Sequence, residues 1–185
     1  MKKLVLSVLV LGSALGATPA FAQATGSVDV TGSVAARCLA VSPISGNITL
    51  GELAKTDGTV DPSFAGNTGG LTRHFTVNFN GSNPNISVDA KPLINAAATN
   101  VPAGYTNTVH YTATLVATGA KGGTTPVADQ SLTAGATSAQ VGDRLAATSN
   151  NITLTIGSGL TADPAAILDA GTYAGKVEVT IAPTA

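Results

Sequence analysis

Arg73-His74-Phe75-Thr76-Val77-Asn78-Phe79-Asn80-Gly81-Ser82-Asn83-Pro84-Asn85-Ile86-Ser87-Val88-Asp89-Ala90 is the stretch that decides the fold class. Phe75, Val77 and Phe79 recur at every second position, with Arg73, His74, Thr76 and Asn78 read as the interleaved polar residues. Asn80 to Pro84 is a cluster of turn formers. Ile86, Val88 and Ala90 then resume the alternation. Successive side chains of a strand point to opposite faces, so each run has one apolar and one polar face. Two such runs around a turn read as antiparallel strands.

Outward from this stretch the same period returns. Val109, Tyr111, Ala113 and Leu115 share one parity, and Ile152, Leu154 and Ile156 share another. Tyr173, Gly175, Val177, Val179 and Ile181 form the last run. Ile48, Leu50 and Leu53 mark a shorter early strand, and weaker candidates lie at 126–133 and 139–146. Asp163-Pro164-Ala165-Ala166-Ile167-Leu168 reads as one or two helical turns, from an N-cap and a proline at the first helical position, stopped by Gly171. Many short strands, little helix and no fixed repeat predict a single all-β domain built as a β-sandwich.

The first residues predict export. Lys2 and Lys3 precede the apolar run Leu4 to Ala17, and Pro19-Ala20-Phe21-Ala22 has the small-x-small pattern of a cleavage site, leaving Gln23 as the first mature residue. Residues 1–22 are thus read as a signal peptide, and no second apolar run points to membrane insertion of the mature chain. Net charge is −1 with 10% charged residues, so nothing steers the chain toward nucleic acid. Cys38 is the single cysteine. In an oxidising compartment such a residue is an intermolecular link, a shielded thiol or the remnant of a pair, and burial is the expected state.

No catalytic constellation is legible. His74 and His110 are placed to point into solvent, and G-x-S-x-G, H-E-x-x-H and paired-cysteine spacings do not occur. Asp57, Asp61, Asp129, Asp143, Asp163 and Asp169 are read as turn residues. The sequence thus predicts a non-enzyme with no cofactor and no metal.

Val28, Val30, Gly32, Val34 and Ala36 share a parity in the segment Gly26-Ser27-Val28-Asp29-Val30-Thr31-Gly32-Ser33-Val34-Ala35-Ala36. By pattern alone this fits an ordinary first strand paired within its own domain. Thr25 to Val30 with Cys38 downstream also resembles the start of pilins from archaic chaperone–usher systems and of the related spore coat protein U-like domains. Phe75 to Gly81, Asn83-Pro84 and Ile86-Ser87-Val88 are similar to that family's second strand and turn. Gly171-Thr172-Tyr173-Ala174-Gly175-Lys176-Val177-Glu178-Val179-Thr180-Ile181 resembles its last strand and the ending of class 5 fimbrial subunits.

The resemblance implies an immunoglobulin-like sandwich that lacks a strand and is completed by a donated one. A periplasmic chaperone supplies it first; at the outer-membrane usher the N-terminal extension of the next subunit replaces it. On this implication residues 23–36 are the donor-strand extension and residues 37–185 the pilin-like domain. Val28, Val30, Val34 and Ala36 are the plugs, and Gly32 sits where the groove is shallow. Like subunits are the partners, and the cell-surface fimbria is the destination. The family pairs its first cysteine with one in the strand matching 74–80, where Asn78 or Asn80 stands here. The rival expectation is a self-contained secreted coat or carbohydrate-binding sandwich, for which Tyr105 is the one tyrosine off the core parity.

Overall fold

The computed structural model describes residues 29–35, 37–41 and 43–184. The chain divides between Val34 and Ala35, and the sandwich lies in the second part. Its strands are β1 (Cys38–Ala40), β2 (Thr72–Phe75), β3 (Val77–Phe79), β4 (Asn85–Ala90), β5 (Leu93–Ile94), β6 (Tyr105–Thr106), β7 (Thr108–Thr118), β8 (Thr124–Gln130), β9 (Thr137–Gln140), β10 (Ile152–Leu160), β11 (Ile167–Leu168) and β12 (Val177–Ala182). No helix occurs among the described residues. The protein is all-β and sandwich-like.

The larger sheet runs β2-β10-β7-β5, with β8 also paired to β7. A second sheet runs β12-β4-β9, antiparallel throughout. The small ribbon β1-β3 and the parallel pair β11-β6 complete the architecture. The alternation read from the sequence is the packing observed. Phe75, Val77, Phe79, Ile86, Val88, Ala90, Val109, Tyr111, Ala113, Leu115, Ile152, Leu154 and Ile156 are all buried in one core. Of the weaker candidates, 126–133 falls largely on β8. The other lies mostly beyond β9, in a loop where Leu145 makes an isolated bridge to Gly119.

Several expectations are corrected. Residues 163–168 are not helical: the Asp163 carboxylate accepts the Ala165 N–H at 2.9 Å in a tight turn, and Ile167 then pairs with Tyr105 in the parallel β11-β6 ladder. Residues 48–53 form no strand, although Ile48, Leu50 and Leu53 pack half-buried against the core. Asp129 is not a turn residue. It is buried on β8, where its carboxylate accepts the Ala90 N–H and the Thr137 hydroxyl, both at 2.8 Å. Cys38 is exposed rather than buried, because β1 is a surface ribbon whose neighbours Leu39 and Val41 are exposed too.

Candidate groove and free sheet edge

The last strand of the chain ends a sheet. β12 pairs with β4 on one side, and among the described residues no strand pairs with its other edge. Lys91 donates its backbone N–H to the Lys176 carbonyl at 2.9 Å. In an antiparallel ladder the bonding direction alternates, so Glu178 and Thr180 also bond toward β4. Val177, Val179 and Ile181 therefore aim their N–H and C=O groups at the bare edge. Their side chains face inward but stay half-buried, whereas their neighbours Ile86 and Val88 on β4 are fully buried.

Facing this edge lies the segment 43–50. Val41 still donates to the Thr76 carbonyl at 2.9 Å, extending the β1-β3 ribbon toward β2. Beyond it the chain is held chiefly by a side chain. The Arg73 guanidinium donates to the Asn47 carbonyl through Nε at 3.2 Å and Nη2 at 2.5 Å. Its Nη1 binds the Thr72 carbonyl at 2.8 Å. Asn67 adds a bond from its amide to the Thr49 carbonyl. Ile44, Ile48 and Leu50 thereby turn inward at strand spacing with no ladder between strands to fix them.

A cleft of about 230 Å³ separates this segment from β12, with Ile44, Ile48 and Leu50 on one wall, Val177 and Val179 on the other, and Phe75 and Ile156 at the floor. A wider cleft of about 710 Å³ adjoins it between residues 47–54 and 168–175. The two share Ile48, Leu50, Leu93 and Gly175, so they form one continuous groove. Near its narrow end the Cys38 thiol donates to the Ile181 carbonyl at 3.6 Å. Partial burial pushes the Cys38 thiol up from its ordinary range. The groove thus widens from Val179 toward Tyr173, and beyond Val179 the edge of β12 is met by the Cys38 thiol.

Two buried or half-buried tyrosines brace the wall that carries β12. Tyr111 donates its hydroxyl to the Lys176 carbonyl at 3.0 Å, and burial, reinforced by Asp129 and Asp89, pushes it up to about 12. Tyr173 donates to the carbonyls of Asp169 and Thr106, at 2.9 and 3.1 Å.

Of the residues singled out from the sequence, Val30 and Val34 are exposed, at 91% and 86%, and residues 29–35 form no strand. Val28 and Ala36 lie outside the described residues, as does the proposed signal peptide. Cys38 stands opposite Phe79 in the β1-β3 register, between the positions taken by Asn78 and Asn80. His74 is exposed and meets the Thr153 hydroxyl at 3.1 Å. Tyr105 is exposed, as expected. The described residues hold no group of three or more His, Cys, Asp and Glu placed to bind a metal, and no helix among them is long and apolar enough to cross a membrane.

Arg73 is the residue that sequence reading misplaced. Its charge assigns it to the polar face, yet it has the parity of Phe75 and stands opposite Leu154 on the inner face. The parity was a usable signal; the guanidinium hid it.

No protein-family model matches the chain, and neither does any curated protein or solved structure.

Proposed function

We propose that this chain is a structural subunit of a surface fimbria, whose groove beside β12 takes a strand donated by a neighbouring copy. The reading includes export, a periplasmic chaperone that occupies the groove first, and an outer-membrane usher where subunits exchange it. The observation that carries it is the bare edge of β12 beside an apolar groove. A strand laid there meets unpaired backbone groups on one side and inward-facing apolar side chains beneath, which are the two requirements of strand addition.

The donor is the extension 23–36, with Val28, Val30, Val34 and Ala36 directed into the groove. Three valines at about 1.5–2 kcal/mol each contribute about 4.5–6 kcal/mol on burial. Ladder hydrogen bonds add about 0.5–1.5 kcal/mol each. Against a domain stability of about 5–15 kcal/mol, the donated strand is a large fraction of the whole. Left open, the same edge is an aggregation hazard, which is why the reading includes a chaperone.

The test is assembly of the mature chain with and without residues 23–36. The full mature protein is expected to sediment as polymers, and the truncated one as a monomer or chaperone complex that binds a peptide of residues 25–36. A Val179→Lys variant should lose polymerisation while keeping its β-sheet circular dichroism. A full mature protein that is a stable monomer without chaperone, and that unfolds on truncation, would establish the self-contained sandwich instead.

A further inference from the structure

We infer that the donated strand runs antiparallel to β12 in the register that sets Asp29 of one copy opposite Lys176 of the next. This rests on the donated-strand reading above and specifies its geometry.

Direction follows from the shape of the groove. At Ile181 the edge of β12 is already met by the Cys38 thiol, and the wide end of the groove lies beside Tyr173. A strand entering parallel to β12 with Asp29 at Lys176 brings Val34 level with Ile181, whose edge carbonyl is taken by the Cys38 thiol. Running antiparallel, the same strand carries Gly32 and Val34 toward the wide end. The sheet it joins is antiparallel at both of its existing pairs, and that pairing is slightly the more stable.

Register follows from charge and size. Asp29 is the only charged residue in 25–36. It has outward parity, opposite to Val28 and Val30. Along β12 and at the residue just before it the outward positions are Lys176, Glu178 and Thr180, all exposed. Asp29 against Lys176 joins opposite charges; a shift of two residues sets it against Glu178 and joins like ones. Lys176 already binds Glu178 at 2.5 Å, so Asp29 completes an acid–base–acid triplet.

The favoured register also sets Val28 opposite Val177, Val30 opposite Gly175, Gly32 opposite Tyr173 and Val34 opposite Gly171. From Val30 to Val34 every inward-facing pair thus contains one glycine. Either shift of two residues breaks this, stacking glycine on glycine at Gly32. Val177 presents its backbone groups to the free edge, so Val28 and Val177 exchange hydrogen bonds. Asp29 and Lys176 then form the neighbouring non-bonded pair, where side chains come closest.

Disulfide trapping reads this register directly, because a bond needs Cα atoms about 4.4–6.8 Å apart. Directly opposite residues meet that limit, at about 4.5–5.5 Å, and a shift of two residues exceeds it. In the full mature chain carrying Cys38→Ser, the pair Asp29→Cys with Lys176→Cys is expected to give a covalent ladder on a non-reducing gel. The pair Asp29→Cys with Glu178→Cys should give none. With native cysteine content, Asp29→Lys or Lys176→Asp alone should slow polymer growth about two- to five-fold, the range of an exposed ion pair. The double reversal should restore it.

A ladder from the Glu178 pair, or a sedimenting polymer that neither pair links, overturns the register and leaves the donated strand standing. A disulfide-closed monomer from the Lys176 pair shows the strand in its own groove and overturns the second copy as occupant. Monomer throughout, with no link from either pair, overturns the donated strand and the register together.

Discussion

Asn151 and Val77 are joined as two paired backbones are joined, but through a side chain. The Asn151 carboxamide oxygen accepts the Val77 N–H at 2.9 Å, and its Nδ2 donates to the Val77 carbonyl at 2.7 Å. The same Nδ2 donates to the Ala146 carbonyl at 2.8 Å. Asn151 is fully buried beside the start of β10, so the amide continues the β2-β10 ladder where the main chain cannot. Asn151→Ala strands three buried backbone groups, each costing about 1–3 kcal/mol. A loss of at least about 3 kcal/mol in urea-unfolding stability is expected, and Asn151→Asp should recover little of it, lacking the donor.

Alkali should weaken the fold through Tyr111. Its folded pKa, about 12, lies above the ordinary tyrosine value of 10.0. Below pH 10 the phenol is neutral in both states and its contribution is intact. Between pH 10 and about 12 the unfolded chain ionises first, so stability falls. Tyr173 is shifted the same way. The urea midpoint should decline across that window, and Tyr111→Phe should flatten the decline while removing a hydrogen bond of about 1 kcal/mol.

Arg73 ties down one wall of the groove, and that wall should loosen without it. Arg73→Met keeps apolar bulk and deletes the bonds to Asn47, Thr72, Gly69 and Gly70. Hydrogen exchange of the 43–50 amides is expected to accelerate strongly while β4, β7 and β10 keep their protection. Equal acceleration in all of them would make Arg73 a global support instead.

Cys38 should react in the folded state. One equivalent of a disulfide reagent is expected to be consumed without denaturant, since the residue is exposed. The rate should keep rising with pH past the ordinary thiol range, because partial burial holds the thiol protonated. A requirement for denaturant would return the residue to the interior.

The parts of the fold that were legible are those where one face of a strand is buried and the other is not. Phe75, Val77, Ile86, Val88, Val109 and Leu115 announced themselves because burial alternates as the side chains do. Periodicity tells which way a side chain faces and nothing about whether its backbone is paired. That is why Ile48 and Leu50 read as a strand: they face inward correctly, but Arg73 stands in for the missing ladder. Asp163-Pro164 misled for a related reason. A helix cap and a tight turn use the same carboxylate-to-N–H bond, and the pairing of Ile167 with distant Tyr105 decided between them. The groove itself was not legible, because it is formed by backbone edges and half-buried side chains from segments far apart in the chain, residues 44–50 and 175–179. What the sequence did offer toward it was the extension 23–36, and that only through resemblance.

In the proposed fibre, the contact between Cys38 and Ile181 would bear on how load is carried. A strand seated antiparallel to β12 leaves the groove at its wide end, so tension between neighbours acts along the strand axis. All the ladder bonds then resist sliding at the same moment instead of opening one after another, as in peeling. With few residues between Val34 and the anchored ribbon at Cys38, there is little slack to turn the pull sideways. Stiffness of the proposed fibre under traction would therefore be set less by the strength of any one contact than by the end at which the strand leaves the groove.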